Sequence, residues 1–401
     1  MIFYMPGRPA ERHVALVIET SNAYARGILA GIRRFAAERP GWSLYLEEHS
    51  RFDTDQAWLE GWTGHGVLAR IENEETADLV RRLGLPAVDL SASRLLPDLP
   101  CVETDDAQIA TWAIEHFTER GLRNFGFYGD NRFRWSRARA RAFADCARQH
   151  DTTAAVFEIE HRRRRAPERM RLMEWLRALP KPVGVLACYD IAGRELLEAC
   201  KAADVRVPDE VAVLGVDNDE LFCNITSPPL SSVQPDTMQT GYLAATILDR
   251  LMAGQYQAPV VRRIPPLRVA ARRSSDIFSV EDPLVAQALR YIREHASTAI
   301  GVTAVLRHVG LSRRALDHRF VRLVGRTVHQ EIVRARMAQV ADLLTSTDWP
   351  LQRVADRLQF PHAEYMGVMF KKHTGRSPGE YRRLAHGSLV RRPAPDAEPN
   401  P

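Results

Sequence analysis

Six residues just beyond short apolar runs have the types and spacing to hold a polyhydroxylated molecule. Tyr24 closes "TSNAY" (20–24), which follows the run "HVALVI". Trp135 and Arg139 lie in "DNRFRWSRARAR" (130–141), beyond "NFGFYG". Asp190 ends "ACYD" (187–190), and Asp217 and Asn218 end "VAVLGVDN" (211–218). Carboxylates and an arginine make paired hydrogen bonds to vicinal hydroxyls, and aromatic faces cover the C–H side of a sugar. Asp190 and Asp217 could also serve as an acid/base pair of glycosidase type. A plainer reading makes Asp190, Asp217 and Asn218 caps of loops or helices, Trp135 a core residue and Tyr24 a surface helix start. Binding clefts use such carboxylates as acceptors, so binding is the expectation and an enzyme is not.

A second set lies near the C-terminus. "VTAVLRHVGLSRRALDHRFVRLVG" (302–325) and "LQRVADRLQFPHAEYMGVMFKKHTG" (351–375) each read as a short helix, a tight turn, a longer helix and a glycine. Val305, Leu306 and Val309 should pack on Leu316, Phe320 and Leu323. Val354 and Leu358 should pack on Met366, Met369 and Phe370. Ser312 can cap its helix by accepting a free backbone N–H. Arg313, Arg314, Asp317 and His318 are then left outward in the first unit. His362, Glu364, Lys371 and Lys372 are left outward in the second. Arginine can read guanine O6 and N7 in the major groove, and lysine suits phosphate. One such helix alone would be a solvated face; two copies point to double-stranded DNA.

These residues need a scaffold. From Arg12 to about residue 218, apolar runs alternate with amphipathic helices, which means parallel sheets covered on both faces. There are too many strands for one small sheet, so two lobes are expected. Ligands of open α/β sheets bind beyond the carboxyl ends of the strands, where the first set lies. The rhythm breaks after "RRIPPLRVAARRSSD" (262–276), and past Asp282 the pattern is helical. The fold class is thus a two-lobed α/β domain like periplasmic binding proteins, followed by an all-α domain with two helix-turn-helix motifs. Its expected parts are an extension (1–11), the two-lobed domain (12–270), a linker (271–282), the helical domain (283–385) and a disordered tail (386–401). "RRRRAPERMR" (162–171) reads as a solvated charge run.

Composition narrows the rest. Five scattered cysteines with no CxxC pair argue against a zinc site or a disulfide framework, and for a reducing compartment. They also leave no cysteine cluster for a DNA-repair methyl acceptor. "MIFYMPGRPAERHVALVI" turns polar before a signal-peptide core builds up, and no run nears the ~20 apolar residues of a membrane span. A cytoplasmic chain without membrane contact, metal or cofactor is expected.

Residues 284–383 resemble the DNA-binding domain of AraC-type transcription regulators. The resemblance rests on "RMAQVADLL" (336–344), "VA" (354–355), Phe360, Tyr365, "FKK" (370–372), Gly375, Pro378 and "YR" (381–382). Gln359 stands where that family has a turn glycine, and Met366 where it has a core Phe. Gly367 and Val368 fall where longer polar side chains often reach DNA, so the first unit is expected to carry more of the base reading. Residues 12–270 resemble the LacI/GalR effector domain in "YARGILAGI", in Arg139 followed by Phe143, and in "ACYD", "VPDEVAVLGVDN" and "LSSVQPD". That resemblance implies that Arg139, Asp190 and Asp217 face a sugar, and that the chain forms a homodimer. A LacI-like sensor ahead of an AraC-like reader is similar to the xylose-operon activators, also in "RW" (134–135), "GVDNDEL" (215–221), "PPLRVAARRSSD" (265–276) and "ALRYIREHA" (288–296). It implies a regulator of catabolic genes for xylose or a related sugar, working with RNA polymerase if it activates.

Overall fold

The computed structural model describes residues 11–39, 41–48, 57–160, 165–255, 259–277 and 282–385. Most of the expected N-terminal extension, the start of the arginine run at 162 and the tail from 386 lie outside the described residues. The chain divides into two compact units, the division falling after Ile277.

The first unit begins with β1 (Arg12–Val17), α1 (Ala23–Glu38), β2 (Trp42–Leu46), α2 (Ala57–Glu60), β3 (Gly66–Ala69), α3 (Glu74–Leu83), β4 (Ala87–Asp89) and β5 (Cys101–Thr104). The chain then crosses to a second lobe. There it builds α4 (Asp106–Thr118), β6 (Asn124–Asp130), α5 (Arg134–Gln149), β7 (Ala155–Ile159), α6 (Arg165–Ala178), β8 (Val183–Ala187), α7 (Asp190–Ala202), β9 (Val211–Val216), α8 (Glu220–Ile225) and β10 (Ser231–Pro235). It returns to the first lobe with α9 (Thr237–Met252) and β11 (Val261–Ile264), and crosses once more to place β12 (Pro266–Ala270). Two six-stranded sheets result, in the orders β11-β5-β4-β3-β1-β2 and β12-β10-β9-β8-β6-β7. Every pairing is parallel except β12 against β10. Central strands are apolar throughout because helices cover both faces; β8 and β9 are buried at every residue. Helix α9 packs along α1 at very close range: a Cβ at Gly241 would lie 2.0 Å from the Ile28 carbonyl oxygen.

Two features depart from the sequence reading. Strands β11 and β12 occupy the stretch where the strand rhythm was expected to stop. Both are edge strands, so Arg262, Arg263, Leu267 and Arg268 can face solvent and break the apolar pattern. The first part of the expected linker, 271–277, is also anchored in the second lobe. Ser274 Oγ donates to the Val213 carbonyl (2.6 Å), Arg272 donates to the Leu230 carbonyl (2.9 Å), and Ser274 and Ser275 are fully buried. Polar and small residues read as a linker, but here their hydrogen bonds hold the middle of β9 and the start of β10.

The second unit contains α10 (Pro283–Glu294), α11 (Val302–Val309), α12 (Arg313–Val324), α13 (Val328–Ser346), α14 (Leu351–Arg357), α15 (Ala363–Thr374) and α16 (Pro378–Ala385). It has two cores that share one helix. Val328, Ile332 and Ala335 of α13 join Val305, Leu316 and Phe320; Met337, Val340 and Leu344 of the same helix join Val354, Met366 and Phe370. Both packing sets expected from the sequence are present. Ser312 Oγ accepts the Ala315 N–H (3.3 Å), the expected cap. Gln359 has φ +53°, the left-handed backbone that a glycine would adopt more easily, and its side chain accepts the Ala299 N–H (3.1 Å).

Candidate functional site

In the first unit the carboxyl ends of both sheets border a cleft with about 410 Å³ of empty space, open solvent included. The first lobe lines it with Tyr24, Arg70, Leu90, Ser91, Ala92 and Thr104. The second lines it with Asp106, Trp135, Arg139, Tyr189 and Asp217. Asn22 caps α1 by accepting the Ala25 N–H (2.8 Å), which fixes the turn that presents Tyr24. The Tyr24 hydroxyl shares a hydrogen bond with Thr104 (2.9 Å), and burial raises its pKa against the opposing charge of Arg70. Trp135 stacks on Phe133 (5.1 Å between centroids) and meets Tyr189 edge-on (5.8 Å), forming an aromatic wall.

Two guanidinium groups reach this cleft, one from each lobe. Arg139 donates through Nε to Asp106 (2.7 Å) and through Nη1 to the Cys188 carbonyl, and lies over Trp135 (5.3 Å). Burial would pull its pKa down, but Asp106 and Asp217 outweigh that and raise it. Burial also pushes the Asp106 carboxyl up, with Arg139 opposing. Arg70 is held by Glu19 and Glu72 and lies over Tyr24 (5.0 Å). There too the carboxylates, with a contribution from Asp217, outweigh burial and raise the pKa. Asp217 follows β9 with φ +115°, a backbone angle that most side chains avoid and that places it on the cleft wall.

Four of the six expected ligand residues line this space: Tyr24, Trp135, Arg139 and Asp217. Asp190 and Asn218 do not. Asp190 is 1 % exposed and opens α7 beneath the cleft. Its Oδ1 accepts from Ser232 Oγ (2.6 Å) and its Oδ2 from the Asp219 N–H (2.7 Å). It fits there because a Cβ on Gly215 would lie 2.2 Å from that Oδ1. Burial, then the charge of Asp217, raise its pKa well above the carboxylate range. Asn218 accepts from Arg272 Nη2 (2.8 Å), away from the cleft. Asp190 thus ties the loop at Asp219 to β10, and Asn218 holds Arg272 rather than capping a helix. Asp190 and Asp217 do not share a space, so these two do not form the acid/base pair considered above. Arg70, a pocket-side position by the family resemblance but not among the six, lines the cleft; Asp106 and Thr104 were missed, although both sit at the carboxyl end of β5, the same signal that located Tyr24.

In the second unit the two helix-turn-helix copies register fifty positions apart, so that α12 aligns with α15 and Gly325 with Gly375. Arg313, Arg314 and His318 are exposed on α12, and His362, Glu364, Lys371 and Lys372 on α15. Asp317 is different. Its Oδ1 accepts the Val328 N–H (3.1 Å) and so caps α13, with Arg313 3.6 Å away. It therefore faces the next helix rather than outward. Gly367, its counterpart, has nearly open space where a Cβ would stand: the nearest atom would be Pro378 Cγ, at 4.0 Å. Among the described residues no helix is long and apolar enough to cross a membrane.

Residues 13–107 match the XylR N-terminal domain, 114–275 a periplasmic binding protein-like domain, and 305–384 a helix-turn-helix domain. The xylose operon regulatory protein of Escherichia coli strain K12 is 32% identical over 388 residues, covering 93% of this chain and 97% of its own. That of Haemophilus influenzae is 31% identical over 379 residues, covering 92% and 97%. A solved structure of the xylose-binding transcription activator XylR superposes with a TM-score of 0.72 at 30% identity, covering 94% of this chain and 99% of that one.

Proposed function

Because the chain belongs to the family of the xylose operon regulatory proteins, sugar-responsive transcription regulators of AraC type, we propose that its effector is a neutral pentose, D-xylose or a close relative. The effector binds in the first-unit cleft and controls how α12 and α15 engage DNA. One observation carries this reading: Asp217 shares the cleft wall with an arginine from each lobe, Arg70 and Arg139, beside the Trp135 wall. The ionisable groups lining the cleft are two arginines and two aspartates, besides tyrosines, which suits an uncharged polyol better than a sugar acid. A ligand spanning both lobes stabilises the closed form, and that differential affinity is what a switch requires.

On this reading Arg313, Arg314 and His318, with Lys371 and Lys372, contact double-stranded DNA in successive major grooves about 34 Å apart. Two chains pair through their first units, and the bound dimer recruits RNA polymerase as an activator in the cytoplasm. The solved relative is a transcription activator, which supports the activator part of this reading. A thermal-shift screen of pentoses, hexoses, polyols and sugar acids tests the effector, since a ligand at 100 times its Kd adds about 2.7 kcal/mol. D-xylose or a close pentose should raise the melting temperature and D-xylonate should not. A rise with the acid alone, or with none of them, refutes the proposal.

A further inference from the structure

The fifty-residue register gives α12 and α15 the same burial pattern, yet their outward faces differ in chemistry. Leu316 and Phe320 are buried in α12, and Met366 and Phe370 occupy the matching places in α15. The central outward position is His318 in the first copy and Val368 in the second. Val368 is 69% exposed, and Tyr365, three residues before it on the same face, is 51% exposed. Glu364 stands before Val368, and Lys371 and Lys372 after it.

A single exposed apolar residue on a surface is ordinary. Here it takes the centre of a helix face where the twin carries His318, the twin's own exposed valine, Val321 (52% exposed), standing one turn off centre, and lysines that suit phosphate flank it. Valine can neither donate nor accept, so this position cannot read a base edge by hydrogen bonds. The one major-groove feature an aliphatic side chain can recognise is the C5 methyl of thymine.

We infer that α15 reads thymine methyl groups through Val368, with Tyr365 beside it, while α12 reads hydrogen-bonding edges through Arg313, Arg314 and His318. The inference rests on the proposed DNA-contacting role of the two helices and adds what each one reads. The operator is therefore bipartite, with one half-element recognised by donors and the other by one or two thymines.

Selection of the full-length protein against a random duplex library, followed by single thymidine-to-deoxyuridine replacements, tests this. The replacement removes the methyl and keeps the Watson–Crick edge. The wild-type protein should lose about fourfold in affinity at one or two thymines of one half-element, the factor that burial of one methyl gives. In Val368→Ala that loss should shrink to less than twofold, with an unchanged salt slope, because no charge is altered. Arg314→Ala should change selection in the other half-element only. Val368 is exposed, so neither folding nor core packing is at stake. Equal binding of thymidine and deoxyuridine duplexes by the wild type, or the same loss in Val368→Ala, overturns the inference. So does selection of a single half-element, although DNA reading by α12 would then still stand. No selective duplex binding at all would remove both.

Discussion

Asp219, on the second lobe, accepts through Oδ2 the backbone N–H of Ala23 at the start of α1 in the first lobe (3.2 Å), with Arg26 3.7 Å away. Its Oδ1 meanwhile accepts from Leu221 (3.2 Å) and caps α8, and its own N–H is bound by Asp190. One side chain thus joins the lobes two positions after the cleft residue Asp217. Asp219→Asn can keep the cap but turns an amide N–H₂ toward the Ala23 donor. Losing one hydrogen bond of ~0.5–1.5 kcal/mol from the closed form should weaken effector binding roughly two- to tenfold, with melting of the effector-free protein little changed. Calorimetry and a melting curve on the same sample separate the two effects.

Asp217→Asn removes charge and one acceptor, while asparagine still tolerates the +115° backbone angle. Sugar affinity should fall roughly ten- to a thousand-fold, with DNA affinity in the absence of sugar near wild type. Asp217→Gly sharpens the test: it relieves the backbone and should fold at least as well, yet bind no better than the Asn variant. An effector Kd within about twofold of wild type in the folded Asn variant would show that Asp217 is not part of the site.

For DNA, Arg314→Ala should cost about 1–3 kcal/mol at a preferred base pair and relax selection there. Lys371→Ala should lower affinity for all sequences alike and reduce the salt slope by about one. Footprints and salt titrations on one duplex distinguish them.

Asp89 supplies a pH test. It is fully buried at the end of β4, accepts from the N–H groups of Ser91 (2.9 Å) and Ile71 (3.3 Å), and burial pushes its pKa up to about 7. The unfolded chain releases this proton near pH 4, while the folded chain keeps it until near neutrality. Stability from this group is therefore complete below about pH 4 and lost as pH rises toward 7. Asp89→Asn cannot ionise, so its stability relative to wild type should improve by roughly 2–4 kcal/mol between pH 4 and pH 8. Urea denaturation of the first unit at both pH values checks the sign; a difference independent of pH would mean that Asp89 is not held protonated.

The alternation of apolar runs and helices made the two-lobed sheets legible, because central parallel strands must be apolar on both faces. The repeated turn-helix unit was equally clear from Leu316, Phe320, Met366 and Phe370. What was lost depends on partners distant in sequence. Asp190 and Asp217 each follow an apolar strand, but only the packing of Asp190 against Gly215 and Ser232 shows that it is buried under the cleft. Arg70 was legible as a pocket-side position, but its ion pair with Glu19, fifty-one residues away, was not. Arg262 and Arg263 hid an edge strand, and Asp317 passed for an outward charge because its acceptor role involves α13. Gln359 was the reverse case: the missing glycine correctly signalled a left-handed turn.

Helix α13 belongs to both hydrophobic cores of the second unit, so the reader has no slack between its halves. An α-helix turns about 100° and advances about 1.5 Å for each residue. One residue added to or removed from α13 between Ala335 and Met337 would swing one reading helix around the axis relative to the other. On the proposed reading, in which α12 and α15 enter one duplex, the length of this helix acts as a fixed gauge that the spacing of the half-elements must match. Base changes between two half-elements would leave that match intact, whereas a spacer lengthened by half a turn would put the second half on the far side of the duplex. The protein's cognate sites can therefore drift in sequence between the half-elements far more freely than in length.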